Sequence, residues 1–267
     1  MPIVTNLKGN KKEYTVTITL ENGLEKTFTC SEDLVVAFRL VNGKELNQDT
    51  YKTFVIDQKL DGLIEKVKRY LLLALRSEQE ARLYLANHGA NQKEVDMIVL
   101  KMKRIGLIDD PGFAKSLVES LFNQKRFGKE KIIFNLESRG FPSSLVKTLV
   151  AGITLEAVNS NLEYLFKKKI VSFKSGSCKA SCDKMKRHLL AKGYGVHDVM
   201  AFVDDHRSEF ENQIQEDQEI LKDLSRLEKR YQRTGDSQED LKTKLIRGLL
   251  ARGYSYPLIK KTLERRR

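Results

Sequence analysis

HLLAKGYGVHDVMAFV, His188 to Val203, is one of four segments of this chain built on the same plan. The others are YLANHGANQKEVDMIV from Tyr84, NLESRGFPSSLVKTLV from Asn135 and GLLARGYSYPLIKKTL from Gly248. Aligned on Gly89, Gly140, Gly193 and Gly253, they place Leu85, Leu136, Leu189 and Leu249 in one column before the glycine. Val95, Val146, Val199 and Ile259 form another after it. His88, Arg139, Lys192 or Arg252 precedes the glycine, and Ala90, Phe141, Tyr194 or Tyr254 follows it. A pattern recurring at a spacing of roughly 50 to 60 residues is the signature of a repeat array.

Each segment reads as helix, corner, helix. A glycine just past an apolar-periodic run can take the left-handed conformation that closes a helix, because it has no Cβ to clash. A basic residue one position earlier sits beside the last unpaired carbonyls and the negative end of the helix dipole. Asn91 with Glu94, and Ser255 before Pro257, are start signals for the second helix, and the aromatic after the glycine is expected to pack at the corner. FAKSLVESLFN from Phe113, LEAVNSNLEYLFKKK from Leu155 and IQEDQEILKDLSRLEKRYQ from Ile214 supply a third amphipathic helix per unit. Such units cannot bury their apolar stripes alone and must stack. The expected fold is mainly α, with tandem three-helix repeats forming an elongated, curved solenoid.

The first residues differ in kind. YTVTITL from Tyr14 and LEKTFTC from Leu24 are β-branched and aromatic, and Glu21-Asn22-Gly23 between them is a hairpin tip. A third strand over Ile3 to Leu7 completes a viable sheet. A short helix over Ser31 to Val41 and a longer one from about Asp49 to Ala74 follow. The boundaries predicted are 1–48 for a small N-terminal β-hairpin module, 49–108 for a linking helix and repeat 1, 109–153 for repeat 2, 154–208 for repeat 3 and 209–267 for repeat 4.

At 40% hydrophobic and 31% charged residues the composition is that of a folded soluble chain. No apolar run approaches a membrane span, and the N-terminus lacks a signal peptide's apolar core. Cys30, Cys178 and Cys182 are too few and odd in number for a disulfide scaffold, which fits a reducing, cytoplasmic setting.

Charge is unevenly spread. Residues 1–60 carry 8 basic and 8 acidic side chains, so the net +12 lies in the helical body. Tyr164 to Lys192 and Lys242 to Arg267 each hold nine basic residues and one acid. Such windows attract polyanions, although a charge run can equally be a solvated face. Register adds to the signal. Nine residues before the glycine stand Glu80, Lys131, Lys184 and Lys244, and one before it stand His88, Arg139, Lys192 and Arg252. Positions eight apart on a helix differ by about 80°, so these residues could line one basic edge that fades in repeat 1.

Leu75 to Phe141 resembles the core of the RecX family of recombination regulators. The resemblance rests on S-E-x-E-x-x-x-Y-L at Ser77 to Leu85, G-L-I-D-D-x-x-F-A at Gly106 to Ala114 and G-K-E-K-I-x-x-x-L-x-x-R-G-F at Gly128 to Phe141. The length is similar to that of the longer Firmicutes-type members. The resemblance implies a cytoplasmic protein that lodges in the groove of a RecA filament on DNA; with no long coiled-coil seam in the sequence, a monomer is expected. There it would limit ATP hydrolysis, filament growth and strand exchange, tempering recombination and the SOS response. DNA contact would be accessory and independent of sequence. Glu119 and Leu121 stand where the family often has basic residues. Expected contacts therefore shift to Lys125, Arg126, Lys129, Lys131 and Arg139 in repeat 2, Lys184, Arg187 and Lys192 in repeat 3, and Lys244, Arg247 and Arg252 in repeat 4. The alternative is a nonspecific DNA-binding repeat protein that acts without RecA.

Nothing points to an enzyme, a cofactor or a metal. There is no G-x-x-x-x-G-K-[ST] loop. His88 and His188 lie near corners, and His197 and His206 read as exposed helix positions. Asp110 before Pro111 reads as a helix N-cap, and Cys178, Cys182 and His188 do not match a common zinc spacing.

Overall fold

Alternation of Val4, Val16, Ile18 and Cys30 with outward threonines builds an antiparallel sheet of β1 (Ile3–Gly9), β2 (Tyr14–Thr19) and β3 (Glu25–Cys30), in the order β1-β2-β3. This computed structural model describes residues 1–9, 13–173, 176–231 and 238–265. Leu34 and Val35 of α1 (Glu32–Ala37), with Leu40, Leu46 and Phe54, close the inner face of the sheet. The helix expected to reach Val41 stops at Ala37, and Arg39 turns the chain with φ 47° while Lys44 Nζ donates to the Phe38 carbonyl at 2.5 Å.

α2 (Gln48–Leu73) serves two cores. Near its start Phe54 meets the edges of Phe28 and Phe38 at 5.3 and 5.4 Å. Near its end Leu63, Val67 and Leu71 pack with Leu85 of α3 (Glu78–Asn87) and Val95, Ile98 and Met102 of α4 (Gln92–Arg104). α2 thus stands as the third helix of repeat 1. Capping boxes Ser77/Glu80 and Asn91/Glu94 start α3 and α4.

The same triple recurs three times. α5 (Asp110–Glu119), prolonged by a π-helical turn over Ser120–Gln124, precedes α6 (Lys129–Glu137) and α7 (Ser143–Ala151). α8 (Leu155–Ile170) precedes α9 (Cys178–Ala191) and α10 (Val196–Asp205). A short helix, α11 (Arg207–Gln213), comes before α12 (Glu216–Tyr231), α13 (Gln238–Ala251) and α14 (Tyr256–Glu264). The cap of α5 is Asp109 rather than Asp110. Asp109 Oδ1 accepts from the Gly112 amide at 3.1 Å, which frees Asp110 to accept from the Glu78 amide at 2.8 Å. Met1–Ala114 with Arg139–Phe141 forms one compact unit, and the remaining described residues form a second. No helix among the described residues is long and apolar enough to cross a membrane.

Within each unit, repeats are joined by one recurring contact: the glycine corner of a repeat sits on the start of the first aligned helix of the repeat before it. Ser77 Oγ donates to the Arg139 carbonyl and Ser177 Oγ to the Arg252 carbonyl, both at 2.6 Å, while the same oxygens accept from the Glu80 and Ala180 amides. At the joint between repeats 2 and 3 the Gly128 and Glu130 amides donate to the Lys192 and Gly193 carbonyls at 2.8 and 3.1 Å. A Cβ on Gly128 would fall on the Gly193 carbonyl, and one on Gly193 would meet the backbone of Lys131. Gly89 shares the positive φ but has nothing within 4 Å, because no repeat precedes it.

This contrast predicts unequal alanine scans. Gly89→Ala should cost only the left-handed strain of an L residue, about 1–2 kcal/mol. Gly193→Ala should cost more than about 3 kcal/mol, because the joint must also open. Urea midpoints of the two variants measure the difference, and equal losses would show that the glycines serve the turn alone.

Candidate functional site

The connection from the π-helical turn to α6, Lys125-Arg126-Phe127-Gly128, holds the most distinctive charge arrangement in the second unit. The Phe127 amide reaches back to the Leu121 carbonyl at 3.0 Å, which forces a tight reversal, and Arg126 absorbs it with φ 54°. For a residue with a Cβ this conformation is strained by about 1–2 kcal/mol. Three contacts hold it. The guanidinium donates to Asn161 Oδ1, it lies 4.8 Å over the Tyr164 ring, and the Arg126 carbonyl accepts from Tyr194 Oη at 3.2 Å. Asn161 is 1% exposed and donates to the Phe122 carbonyl at 3.1 Å, so its amide clamps both ends of the turn.

Lysines gather around the neighbouring ring. Lys131 Nζ lies 4.7 Å and Lys192 Nζ 5.1 Å from the centre of Phe127. Lys131 donates to the Ala191 carbonyl at 3.1 Å and Lys192 to the Lys125 carbonyl at 3.3 Å. Burial, then the charges of Lys131, Lys168, Lys169 and Lys125, hold the Lys192 ammonium below its ordinary range. The same burial, with Lys169 and Lys192, lowers His188, whose Nε2 is buried without a partner. Among the described residues no carboxylate pairs with Lys125, Lys131, Lys168, Lys169 or Lys192. Like charges held this close repel one another, an energy that a bound polyanion would relieve.

The other residues singled out from sequence are placed differently. Arg139 is half-buried and bound to Glu80, with Nε and Nη2 contacts of 3.0–3.1 Å, and lies 4.7 Å over Phe113. Arg252 Nη1 donates to the Asp223 carbonyl at 3.1 Å and stands 3.4 Å from its carboxylate. Lys184 lines a groove with Glu219, Lys222, Asp223 and Arg226. Lys129 and Lys244 are half-buried, Arg247 is exposed, and Arg187 donates to the Asp183 carbonyl at 3.3 Å on its own helix. Lys125, Arg126, Lys131 and Lys192 are therefore brought together, whereas Arg139 and Arg252 are each tied to an acid.

Lys168, Lys169, Phe127 and Tyr164 escaped the glycine alignment, which covers the two corner helices of each repeat and leaves out the helix before them. The Lys167-Lys168-Lys169 run on α8 was the available signal. The aromatics after the glycines turn toward other helices: Phe141 meets Phe113 at 5.5 Å, and Tyr254 Oη donates to Asp223 at 3.0 Å. His206, expected to be exposed, is half-buried against Phe166 and Phe202, with Nε2 2.8 Å from Glu163. Burial pushes the Cys30 and Cys178 thiols up to about 12 and Cys182 upward, so all three are poor nucleophiles. Among the described residues no three His, Cys, Asp or Glu side chains form a group that could hold a metal ion.

Fold and site together define a tandem helical-repeat protein with an N-terminal sheet and a cationic, aromatic-lined cluster. No family model matches the chain. It is 24% identical to regulatory protein RecX of Oceanobacillus iheyensis over 98% of this chain and 96% of that one. To regulatory protein RecX of Staphylococcus carnosus it is 27% identical, over 97% and 96% of the two chains. A crystal structure of a regulatory protein RecX superposes with TM-score 0.60 at 20% identity, covering 77% of this chain and all of the other. RecX from Lactobacillus salivarius superposes with TM-score 0.52 at 20% identity, covering 57% of this chain and 98% of its own. The chain is thus similar end to end to proteins of the RecX family, and it shares the fold of the two solved ones.

The two classes of basic residue should separate on mutation. Arg139→Gln, which strands Glu80, should lower stability by about 1–2 kcal/mol and leave the salt dependence of oligonucleotide binding unchanged. Gln at Lys125, Lys168 and Lys169 together should leave stability within about 0.5 kcal/mol per site. That triple variant should flatten the slope of log affinity against log salt by about 0.7 for each lysine that meets a phosphate of a single strand. Titrations at several salt concentrations, paired with urea melts, check both arms.

Proposed function

We propose that the protein is a non-enzymatic, cytoplasmic regulator that binds the filament of a RecA-type recombinase on DNA as a monomer and restrains it. Its ATP hydrolysis, filament growth and strand exchange would fall, tempering recombination and the SOS response. End-to-end likeness to regulatory proteins supports a regulatory role, and the lysine cluster without counter-charges is the observation that carries the reading on DNA. The groove of a nucleoprotein filament presents phosphates beside protein, so a tandem array gains many modest contacts there while charge speeds encounter. Phosphate contacts carry no base information, which fits a regulator acting wherever a filament forms. Lys125, Lys131 and Lys192 lead the contacts in this reading, joined by Lys168 and Lys169. Lys129, Lys184, Arg187, Lys244 and Arg247 are flanking candidates.

The test is single-stranded-DNA-dependent ATP hydrolysis by a recombinase from the same cell type, titrated with this protein below the recombinase concentration. Inhibition at substoichiometric ratios that persists with excess DNA is expected. Loss of the effect when excess DNA is added would favour the alternative, a nonspecific DNA-binding repeat protein that only sequesters the strand.

A further inference from the structure

We infer that Tyr164 is a base-stacking platform and that the lysine cluster is selective for single-stranded over duplex nucleic acid. This deepens the function proposed above and rests on the reading of the cluster as a phosphate site.

Three features converge on this ring, two of them through Arg126. Tyr164 is 48% exposed on α8, so part of its ring is open to a ligand. The Arg126 guanidinium lies over it at 4.8 Å, and the Lys168 ammonium is 5.8 Å from its centre, so the ring is buttressed by cations. Arg126 is itself fixed from below. Its side chain is bound to buried Asn161, its backbone has a left-handed φ, and the segment before it is a π-helical turn. Strained backbone and π-helical turns persist where the surrounding structure over-determines them, and they cluster at functional sites. The hydrogen bonds from Asn161 and Tyr194 explain how the strain is held, but packing alone does not require an arginine there. Holding a guanidinium over an exposed ring is what the arrangement achieves.

An aromatic face backed in this way can accept a base only if that base is free of its own stack. Single-strand binders combine such faces with a cationic groove that follows the backbone, and the contact tolerates any base. In a duplex the bases are stacked on one another, leaving only phosphates for Lys125, Lys168, Lys169 and Lys192. Tyr164 should thus contribute to one ligand and be silent toward the other, whereas the lysines serve both.

The experiment uses the full chain without recombinase, with fluorescence anisotropy of a labelled thymidine oligomer and of a duplex of equal length. The wild type should bind the single strand more tightly. Tyr164→Ala should lose about ten-fold on the single strand and less than about two-fold on the duplex, with its salt slope unchanged. Tyr164→Phe, which keeps the ring, should restore single-strand affinity and verifies that loss of the face is what matters. Equal losses on both ligands, no loss on either, or a wild type that prefers duplex would overturn the inference. ATPase inhibition is measured on the same variants. Inhibition by Tyr164→Ala without the single-strand defect would end this inference and leave the proposed function standing. Inhibition by a wild type that binds neither oligonucleotide would also overturn it, assigning the lysines to an acidic protein surface.

Discussion

A helix leaves its first amides and last carbonyls without partners, and this chain satisfies both at once by setting one repeat's corner on another's helix start. The carbonyl that a corner cannot use internally, at Arg139, Lys192 or Arg252, is where the donor from Ser77, Gly128 or Ser177 arrives. Backbones must approach closely for this to happen, and Gly128 against Gly193 is the extreme case, with no room for a Cβ on either side. Stacking is therefore specified by polar backbone groups, and the apolar faces that follow, such as Ile220, Leu224, Leu245, Leu249 and Ile259 in the last repeat, fill in around that register.

The joint also sorts the basic residues. An arginine beside a corner carbonyl lies next to the start of another helix, where acidic side chains collect because the dipole favours them. Arg139 meets Glu80 at the third position of α3 in this way, whereas Arg252 reaches Asp223 in the middle of α12, within its own repeat. Both are consumed by architecture. Lys192 has the same place in the repeat but pairs with no acid: where α3 carries Glu80, the matching position of α6 is Lys131, and the flanking α8 carries three lysines in its last turn. Charge left over at that one joint, close to an exposed tyrosine, is what distinguishes it as a site.

Much of this was legible from residues. The four glycine corners, the capping box at Asn91, the hairpin around Asn22-Gly23 and the third helix of each repeat follow from local rules of period and turn chemistry. The register of basic residues was legible too, but not their employment. A repeated lysine or arginine looks the same whether it faces solvent or a carboxylate some sixty residues away, and only tertiary contact separates Lys192 from Arg139. The same limit applies to Asp109 and Asp110, where both can cap and the Glu78 amide decides which one does. Arg126 could not be read as left-handed at all, because the bonds that hold it come from Asn161 and Tyr194 on the next repeat.

Stacking of the repeats depends on the corner of one repeat closing the helix start of another. Native-state hydrogen exchange at the Gly128 and Glu130 amides tests it directly. Both are at the first turn of a helix, where unpartnered amides exchange freely; bound to the Lys192 and Gly193 carbonyls, they should be protected to the level of mid-helix amides in α9 and open together with it. Exchange at the rate of ordinary frayed first-turn amides would contradict the joint and the stacking derived from it.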